Sequence, residues 1–423
     1  MKLKLIKFYL IVLMLIAWMP RIGIISEAQF SIVLFFPILF FLISLSKNGF
    51  LLRLKKTRWF LFFLLIVLLS SLYNNVDFFV MLLNIRWLIL PFFLMIFMLN
   101  SKFTLNQLKS LVKFIYFIVL IQIPIAIIKY FILDLDGEWP LGLIGYSYST
   151  LLVLMFFSGI MSYYFITKKY KYLLLILGVL IIAISSGKRA VVFLIPLFLM
   201  ISNILNINSL KNGFKSVFLF IVISPMIIYV LVRAAPSLNP ERKVWGTFDV
   251  DYVLNYSDDY TSSTRVGVQN KLSNRSTTTS YVFEKLLNNS GNFLFGYGGD
   301  KFSKTLKGLN KSSNDVANIE YGINGFSWLA YQFGVISSIL WFVFFIRFYF
   351  KGKKIFRLTN NTFWRVYGQT IMLSSLVLSF VQFFYAPDYK NPLFISYVYV
   401  FLFPALIFKD IYVLETKHKK NFN

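Results

Sequence analysis

The apolar run FLFFLLIVLLSSLY, residues 60–73, decides the fold class of this chain. Apart from two serines near its end, every residue is aliphatic or aromatic, and polar positions do not alternate with apolar ones. A strand of a membrane barrel is about 10 residues long and alternates, whereas a membrane-spanning helix needs about 20 mostly apolar residues. The run therefore predicts a membrane helix, and similar runs recur along the whole chain.

The composition agrees with this interpretation. The chain is 58% hydrophobic and 14% charged, with a mean hydropathy of +0.70, which is too little charge for a soluble protein of 423 residues. We predict an all-α polytopic integral membrane protein with about twelve transmembrane helices. The expected spans are residues 7–20, 28–46, 57–74, 79–99, 108–132, 148–166, 171–186, 189–206, 216–234, 323–346, 366–386 and 391–408.

The N-terminal apolar segment resembles a signal peptide. No convincing small-residue cleavage site follows it, so we expect it to be retained as the first span.

The net charge of +26 is typical of a nucleic-acid-binding protein. The Lys and Arg residues, however, lie mainly in short loops between apolar runs, so we expect no nucleic-acid partner. Alternate loops carry most of these cations, as in TKKYKY at 167–172, whereas the loops between them hold segments such as NNVD at 74–77 and DLDGEW at 134–139. The positive-inside rule then predicts that both termini are cytoplasmic.

The same alternation predicts three regions. Residues 1–234 hold transmembrane helices 1–9, residues 235–322 form one long extracytoplasmic loop domain between helices 9 and 10, and residues 323–423 hold helices 10–12 and a basic cytoplasmic tail. Within the loop, TTTSYVFEKLL at 277–287 has the apolar spacing of a helix. GYGGD at 296–300 predicts a tight turn.

Cations inside or beside membrane spans are costly and are functional candidates. Arg86 lies in the middle of a span, where the alternatives are snorkelling to the surface or a structural pair with Asp77. Lys188 and Arg189 lie in SSGKRAVV, residues 185–192, in a short outer turn that the positive-inside rule would leave without cations. An interfacial anchor is the alternative for this pair.

Three further arginines, Arg233, Arg265 and Arg275, lie on or near the outer loop, and solvated loop arginines are the alternative for each. Because guanidinium groups bind phosphate oxygens in a bidentate manner, the outer arginines together predict a polyanion site at the membrane surface. A lipid-linked pyrophosphate fits such a site. The glycines of FGYGGD, residues 295–300, would allow backbone N–H groups to approach the anion.

Three segments resemble motifs of one known family. They are SSGKRAVV at 185–192, NRSTTTSYVFEKLLNNSGNFLFGYGGD at 274–300, and INGFSWLAYQFGVISSILWF at 323–342. In this order they are similar to motifs of the O-antigen polymerase (Wzy) and O-antigen ligase (WaaL) family of bacterial membrane glycosyltransferases. The resemblance covers residues 140–345, and at the family's functional positions it puts Arg189, Arg275, Gly296, Gly298, Asn324 and Gly334.

The resemblance implies a metal-independent glycosyltransferase without cofactors, in the bacterial cytoplasmic (inner) membrane. It would join undecaprenyl-pyrophosphate-linked oligosaccharide repeat units on the outer face, giving O-antigen, capsule or exopolysaccharide. Arg189 and Arg275 would stabilise the leaving lipid pyrophosphate. Glu320 is the candidate base, because Ile323 stands where the ligases have a histidine. That difference favours the polymerase branch.

The remaining substrate-binding candidates are Arg86, Lys188, Arg265, Gly296, Gly298 and Asn324. The chain has no Cys and one His, His418 in the basic tail, so we expect no metal site. The implied partners are lipid-linked oligosaccharide substrates, membrane lipids, and a chain-length regulator and a flippase of the same pathway.

Three alternatives remain open at this point. A polysaccharide ligase differs from a polymerase in its acceptor. A transporter or flippase of lipid-linked glycans would be expected to show an internal repeat of its spans, and the long late loop has no counterpart in the first half. A sensor or scaffold protein would not need the three motifs in order.

Overall fold

The computed structural model describes residues 2–16, 35–48, 56, 58–128, 149–185, 189–205, 210–235, 238–241, 243, 245–254, 275–299, 323–384 and 392–420. These residues are helical or lie in turns and connections between helices, and none of them forms a strand. The helices are α1 Lys2–Ile16, α2 Phe36–Asn48, α3 Arg58–Tyr73, α4 Phe78–Leu99, α5 Leu105–Leu120, α6 Gln122–Ile127, α7 Ser149–Thr167, α8 Lys171–Ser185, α9 Arg189–Ile204, α10 Leu210–Ala234, α11 Arg275–Leu287, α12 Ser290–Phe295, α13 Gly325–Phe333, α14 Val335–Leu358, α15 Thr362–Phe384 and α16 Pro392–Lys420.

The predicted all-α class is confirmed for the described residues. By length and composition, three of their helical stretches are able to cross a membrane: Leu105–Ile125, Val335–Leu358 and Ser396–Val413. Several shorter apolar helices accompany them. The chain therefore has the character of a membrane protein, and the twelve-span count stays a prediction.

Two of the predicted spans are each divided into two helices. The span at 108–132 breaks at Ile121 between α5 and α6, where Pro124 has no N–H to donate to the carbonyl one turn back. The span at 323–346 breaks at Gly334 between α13 and α14. At the other end of the chain, α16 continues to Lys420 and so includes most of the predicted basic tail.

Helix α15 is the centre of the bundle, with α7, α13 and α14 packed around it. Its inward face is small and polar. The hydroxyl of Ser374 lies 3.3 Å from that of Ser158 in α7, and Ser375 donates to the Phe345 carbonyl of α14 at 2.7 Å. Small and hydroxylated residues let membrane helices approach closely and hydrogen-bond across the contact.

The closest approach of α14 and α15 is made by two glycines. A Cβ added at Gly352 would lie 2.5 Å from the carbonyl oxygen of Gly368, and one added at Gly368 would lie 2.7 Å from the backbone nitrogen of Phe356. Neither backbone has room for a side chain at this crossing. The two glycines therefore set the spacing of the central helix pair.

The directions of the helices follow from paired contacts. Lys109 Nζ of α5 lies 5.4 Å from the centroid of the Phe363 ring of α15. Seven residues further along each helix, Tyr116 Oη donates to Thr370 Oγ1 at 3.2 Å. Helices α5 and α15 therefore run parallel. Helix α15 ends beside α13, since the Phe383 ring lies 5.5 Å from that of Phe326.

Helix α8 runs in the same direction as α5. At its start, the ring of Tyr172 lies 5.1 Å from Tyr163, which is itself 6.2 Å from Tyr116 of α5. Further along, a Cβ on Gly178 would lie 2.9 Å from Ile123, which follows α5 in the chain. The end of α8 is therefore on the side of the bundle where α15 ends and α13 lies.

We predict that Gly352→Val destabilises the purified protein by several kcal/mol, because the new side chain forces the α14 and α15 backbones apart. The measurement is thermal unfolding in detergent. The neighbouring substitution Lys353→Val is the matched control, and it should change the melting temperature little. Equal melting temperatures for the two variants would contradict the close crossing.

Candidate functional site

The predicted glycine turn after α12 is present, and it pairs with the end of α13. Gly296 and Gly298 are buried and have φ angles of +70° and +98°. The N–H of Tyr297 donates to the Tyr331 carbonyl at 2.8 Å, and the N–H of Gly298 donates to the Gln332 carbonyl at 3.0 Å. The last carbonyls of a helix have no partner within the helix, so the turn supplies donors that α13 lacks.

The break at Gly334 is the other half of the same contact. Gly334 has a φ of +83°, and a Cβ on it would overlap the backbone carbonyl of Leu294. A Cβ on Gly296 would lie 2.5 Å from the carbonyl oxygen of Gln332. At both positions the backbone has a positive φ, and backbone atoms of the opposite segment occupy the place of a Cβ. Glycine is the residue that satisfies both conditions.

The end of α3 completes the contact with side chains. The Ser70 hydroxyl, fully buried, contacts the carbonyl of Phe295 closely and lies 3.1 Å from the carbonyl of Gln332, so it joins α12 to α13. Asn74 Nδ2 donates to the Gly296 carbonyl at 3.1 Å. We call the set Ser70, Asn74, Gly296, Gly298 and Gly334 the glycine clasp.

Helix α11 is joined to α13 near the start of both helices. Asn324 caps α13 through Oδ1, which accepts the Ser327 N–H at 2.8 Å. Its Nδ2 donates to Thr279 Oγ1 at 2.9 Å, and the Ser327 hydroxyl lies 3.4 Å from the same oxygen. Arg275 is the first residue of α11. Thr279 is four positions later, so the two backbones are about 6 Å apart along the helix axis.

Arg189 lies at the same end of the bundle. It is the first residue of α9, and three residues separate it from the end of α8. They span at most about 14 Å, so Arg189 begins on the side where α15 ends. The hydrogen bond from Gln369 to the Ser202 carbonyl, 3.1 Å, joins the end of α9 to the first half of α15, which agrees with this direction.

Arg86 lies within α4 and is half-buried. Asp77, the predicted alternative partner, caps α4, since its Oδ1 accepts the N–H groups of Phe79 and Val80 at 2.9 and 3.1 Å. Arg86 comes nine positions after Asp77, which is about 13 Å of helical rise and places the two residues on opposite faces of α4. Arg86 stays a substrate-binding prediction.

Arg233 at the end of α10 has a structural role. Its Nε donates to the Gly246 carbonyl at 2.9 Å, and its guanidinium lies 5.7 Å from the Tyr229 ring centroid. Beside it, the buried Asn239 amide donates to the carbonyls of Arg233 and Lys243. In the same turn Lys243 holds the pKa of the exposed Glu241 below its usual range, mainly through their hydrogen bond.

Three predicted site residues, Lys188, Arg265 and Glu320, lie outside the described residues. For Arg189 and Arg275 the structure describes the helix start and not the side chain. Gly296 and Gly298 lie against the end of α13, whereas Asn324 caps the start of α13 and joins it to α11. Among the described residues, no three His, Cys, Asp or Glu side chains are grouped as metal ligands would be.

Sequence reasoning did not single out Ser70, Asn74 or Thr279. The sequence does contain one indication of the role of Ser70 and Asn74: SSLYNN, residues 70–75, ends an otherwise apolar run with hydrogen-bonding side chains. Polar side chains at the end of an apolar helix indicate a partner there. No protein-family model matches the chain, and no curated protein matches it.

We predict that Gly334→Ala and Ser70→Ala each loosen the glycine clasp. The alanine at 334 is strained at positive φ and overlaps the Leu294 carbonyl. Ser70→Ala removes the hydroxyl that contacts the Phe295 and Gln332 carbonyls, at a cost of about 1–3 kcal/mol. The measurement is limited proteolysis of the segment between α12 and α13 in the purified protein.

Ser71→Ala is the matched control, because the Ser71 hydroxyl donates to Val67 of its own helix at 2.9 Å. This variant should be cleaved at the wild-type rate. Faster cleavage of Ser71→Ala than of Ser70→Ala would contradict the role of the clasp.

Proposed function

We propose that the chain is a polysaccharide polymerase of the O-antigen polymerase type, acting on the outer face of the bacterial cytoplasmic membrane. Its donor is an undecaprenyl-pyrophosphate-linked glycan, and its acceptor is a sugar hydroxyl of another lipid-linked repeat unit. Both termini are cytoplasmic in this proposal. A chain-length regulator and a flippase act in the same pathway.

The reaction requires a site that stabilises the negative charge developing on the leaving pyrophosphate. The acceptor hydroxyl attacks the anomeric carbon, the bond from that carbon to the pyrophosphate oxygen breaks, and the lipid pyrophosphate leaves with the electron pair. Preorganised cations aimed at such developing charge are among the largest contributions to catalysis. Arg189 and Arg275 take this role, and Glu320 is the candidate acceptor of the hydroxyl proton.

One observation carries the proposal. The helix that begins with Arg275 and the helix that Asn324 caps are joined near their starts by the contact of Asn324 with Thr279 at 2.9 Å. Arg189 begins its own helix at the same end of the bundle. The starts of three helices from three separate motifs at one end of the bundle support a shared pyrophosphate site.

The fixed backbone matters for catalysis as well as for binding. A catalytic group needs to be held within fractions of an ångström of its productive position. The Thr279 contacts fix the N-terminal half of α11 to α13. The glycine clasp fixes the turn after α12, from which the Tyr297 hydroxyl donates to the Lys285 carbonyl of α11 at 2.8 Å. The first residue of α11 is then held by secondary structure rather than by a loop.

We predict that Arg189→Ala and Arg275→Ala each lower chain growth roughly 100-fold or more, the usual cost of removing one group that stabilises transition-state charge. The measurement is an electrophoretic profile of surface polysaccharide in cells that carry only the variant gene. A polymerase defect leaves single repeat units attached to the surface. Arg275→Lys keeps the charge but loses the bidentate contact, and it should give short chains.

Arg365→Ala is the control, because Arg365 lies at the opposite end of the bundle, with its guanidinium 4.9 Å from the Phe356 ring. It should leave polymer length unchanged at equal protein levels. Full polymer from both outer-arginine variants would overturn the proposal. Long chains retained on the lipid carrier after gene deletion would indicate a ligase, and repeat units retained inside the cell would indicate a flippase.

A further inference from the structure

The end of the bundle opposite the glycine clasp gathers five cations from three separate elements. Lys56 precedes α3, Arg347, Lys351 and Lys354 lie on one face of α14, and Lys409 lies on α16. We call these five side chains the basic cluster. Lys351 is 17 residues from Gly334, about 26 Å of helix, which is close to the thickness of a bilayer's hydrocarbon core.

These cations are neighbours that repel one another. Lys354 lies close to Lys409, and Lys351 is repelled by Arg347, Lys56 and Lys354. Asp410 is the carboxylate that acts on Lys351 and Lys354, and it also pairs closely with Lys56. Lys56 donates in addition to the Leu406 carbonyl at 3.1 Å, which fixes it against α16.

Membrane orientation alone does not explain this arrangement. The positive-inside rule needs cations on one side of the membrane, and it does not need them to meet. Like charges that lie close together repel, and the Asp410 carboxylate does not neutralise five cations. An anion shared between Lys354 and Lys409 would offset that repulsion.

The surroundings of the cluster favour a lipid over a soluble anion. Arg347 lies 5.1 Å from the ring centroid of Trp59, whose side chain is 36% exposed. Phe350, one residue before Lys351, is 62% exposed. Tryptophan and other aromatic side chains are typical of the membrane interface, so exposed apolar surface for acyl chains lies directly beside the cations.

We propose that the basic cluster binds the phosphate headgroup of an anionic phospholipid, and that it prefers a headgroup with two phosphates, cardiolipin, to one with a single phosphate. The excess of cations over carboxylates matches two phosphates better than one. The headgroup joins the start of α3 and the end of α14 to α16 on the surface opposite the glycine clasp. This proposal does not depend on the catalytic activity.

The test uses the full chain purified in detergent, with cardiolipin, phosphatidylglycerol, phosphatidylethanolamine or inorganic phosphate added separately. Thermal unfolding and native mass spectrometry report binding. We expect cardiolipin to raise the melting temperature most and to remain bound in the gas phase. Lys354→Gln combined with Lys409→Gln should weaken cardiolipin binding roughly tenfold or more.

The matched control is Lys102→Gln combined with Lys353→Gln, which removes the same charge outside the cluster. It should bind cardiolipin as the wild type does. The tested pair leaves Lys56 and its contacts with α16 unchanged, and elution as a single folded species checks each variant.

Three outcomes would overturn the proposal. They are equal cardiolipin binding by both double variants, equal stabilisation by cardiolipin and phosphatidylethanolamine, and stabilisation by inorganic phosphate as large as that by cardiolipin. The last result would assign the cluster to a soluble phosphate.

Discussion

The backbones of the turn after α12 and of the end of α13 approach closely at Gly296 and Gly334. The packing of α11, α12 and α13 depends on this constraint. The space that a Cβ on either glycine would need is occupied by backbone of the opposite segment. In return, the α13 carbonyls of Tyr331 and Gln332 obtain N–H donors from the turn after α12. A backbone group left without a partner in an apolar environment is costly, so a helix that is broken at buried residues needs such a partner.

The consequence is that the segment of α11 and α12 is built into the bundle. Val282 and Leu286 of α11 are fully buried in the same hydrophobic core as the bundle helices. Phe283 of α11 stacks on Phe326 of α13 with their centroids 5.7 Å apart, and Tyr297 stacks on Tyr331 at 4.9 Å. The polar capping contacts and these aromatic pairs hold α11 in one orientation.

Much of the architecture could be predicted from the sequence, because apolar runs of helical length impose helices. The bounds expected for α3, α4, α7, α8 and α9 agree with those observed within one or two residues. The helix in TTTSYVFEKLL and the turn at Gly296 and Gly298 are also confirmed. The break at Gly334 was not expected, because hydropathy is continuous across residues 323–342 and a glycine within an apolar run does not by itself indicate a break.

The partners of these elements could not be predicted in the same way. Ser70 and Thr279 acquire their roles only when α3 and α11 reach α13, and side chains of this kind often bond within their own helix, as Ser71 does to Val67. The convergence of cations on three elements at the opposite end is equally a product of packing. Counting the charges of each loop predicts which side of the membrane the cations face. It does not predict whether those cations lie close together.

A disulfide between α11 and α13 tests the central claim most directly. The chain has no cysteine, and the side-chain oxygens of Thr279 and Ser327 lie 3.4 Å apart. With Thr279→Cys and Ser327→Cys, mild oxidation should link the two fragments that proteolysis between α11 and α13 produces. The control pair Ser280→Cys and Ser327→Cys, with residue 280 on the exposed face of α11, should not form the link. The absence of a link in the first pair, or equal linkage in both, would contradict the docking of α11 on the broken helix.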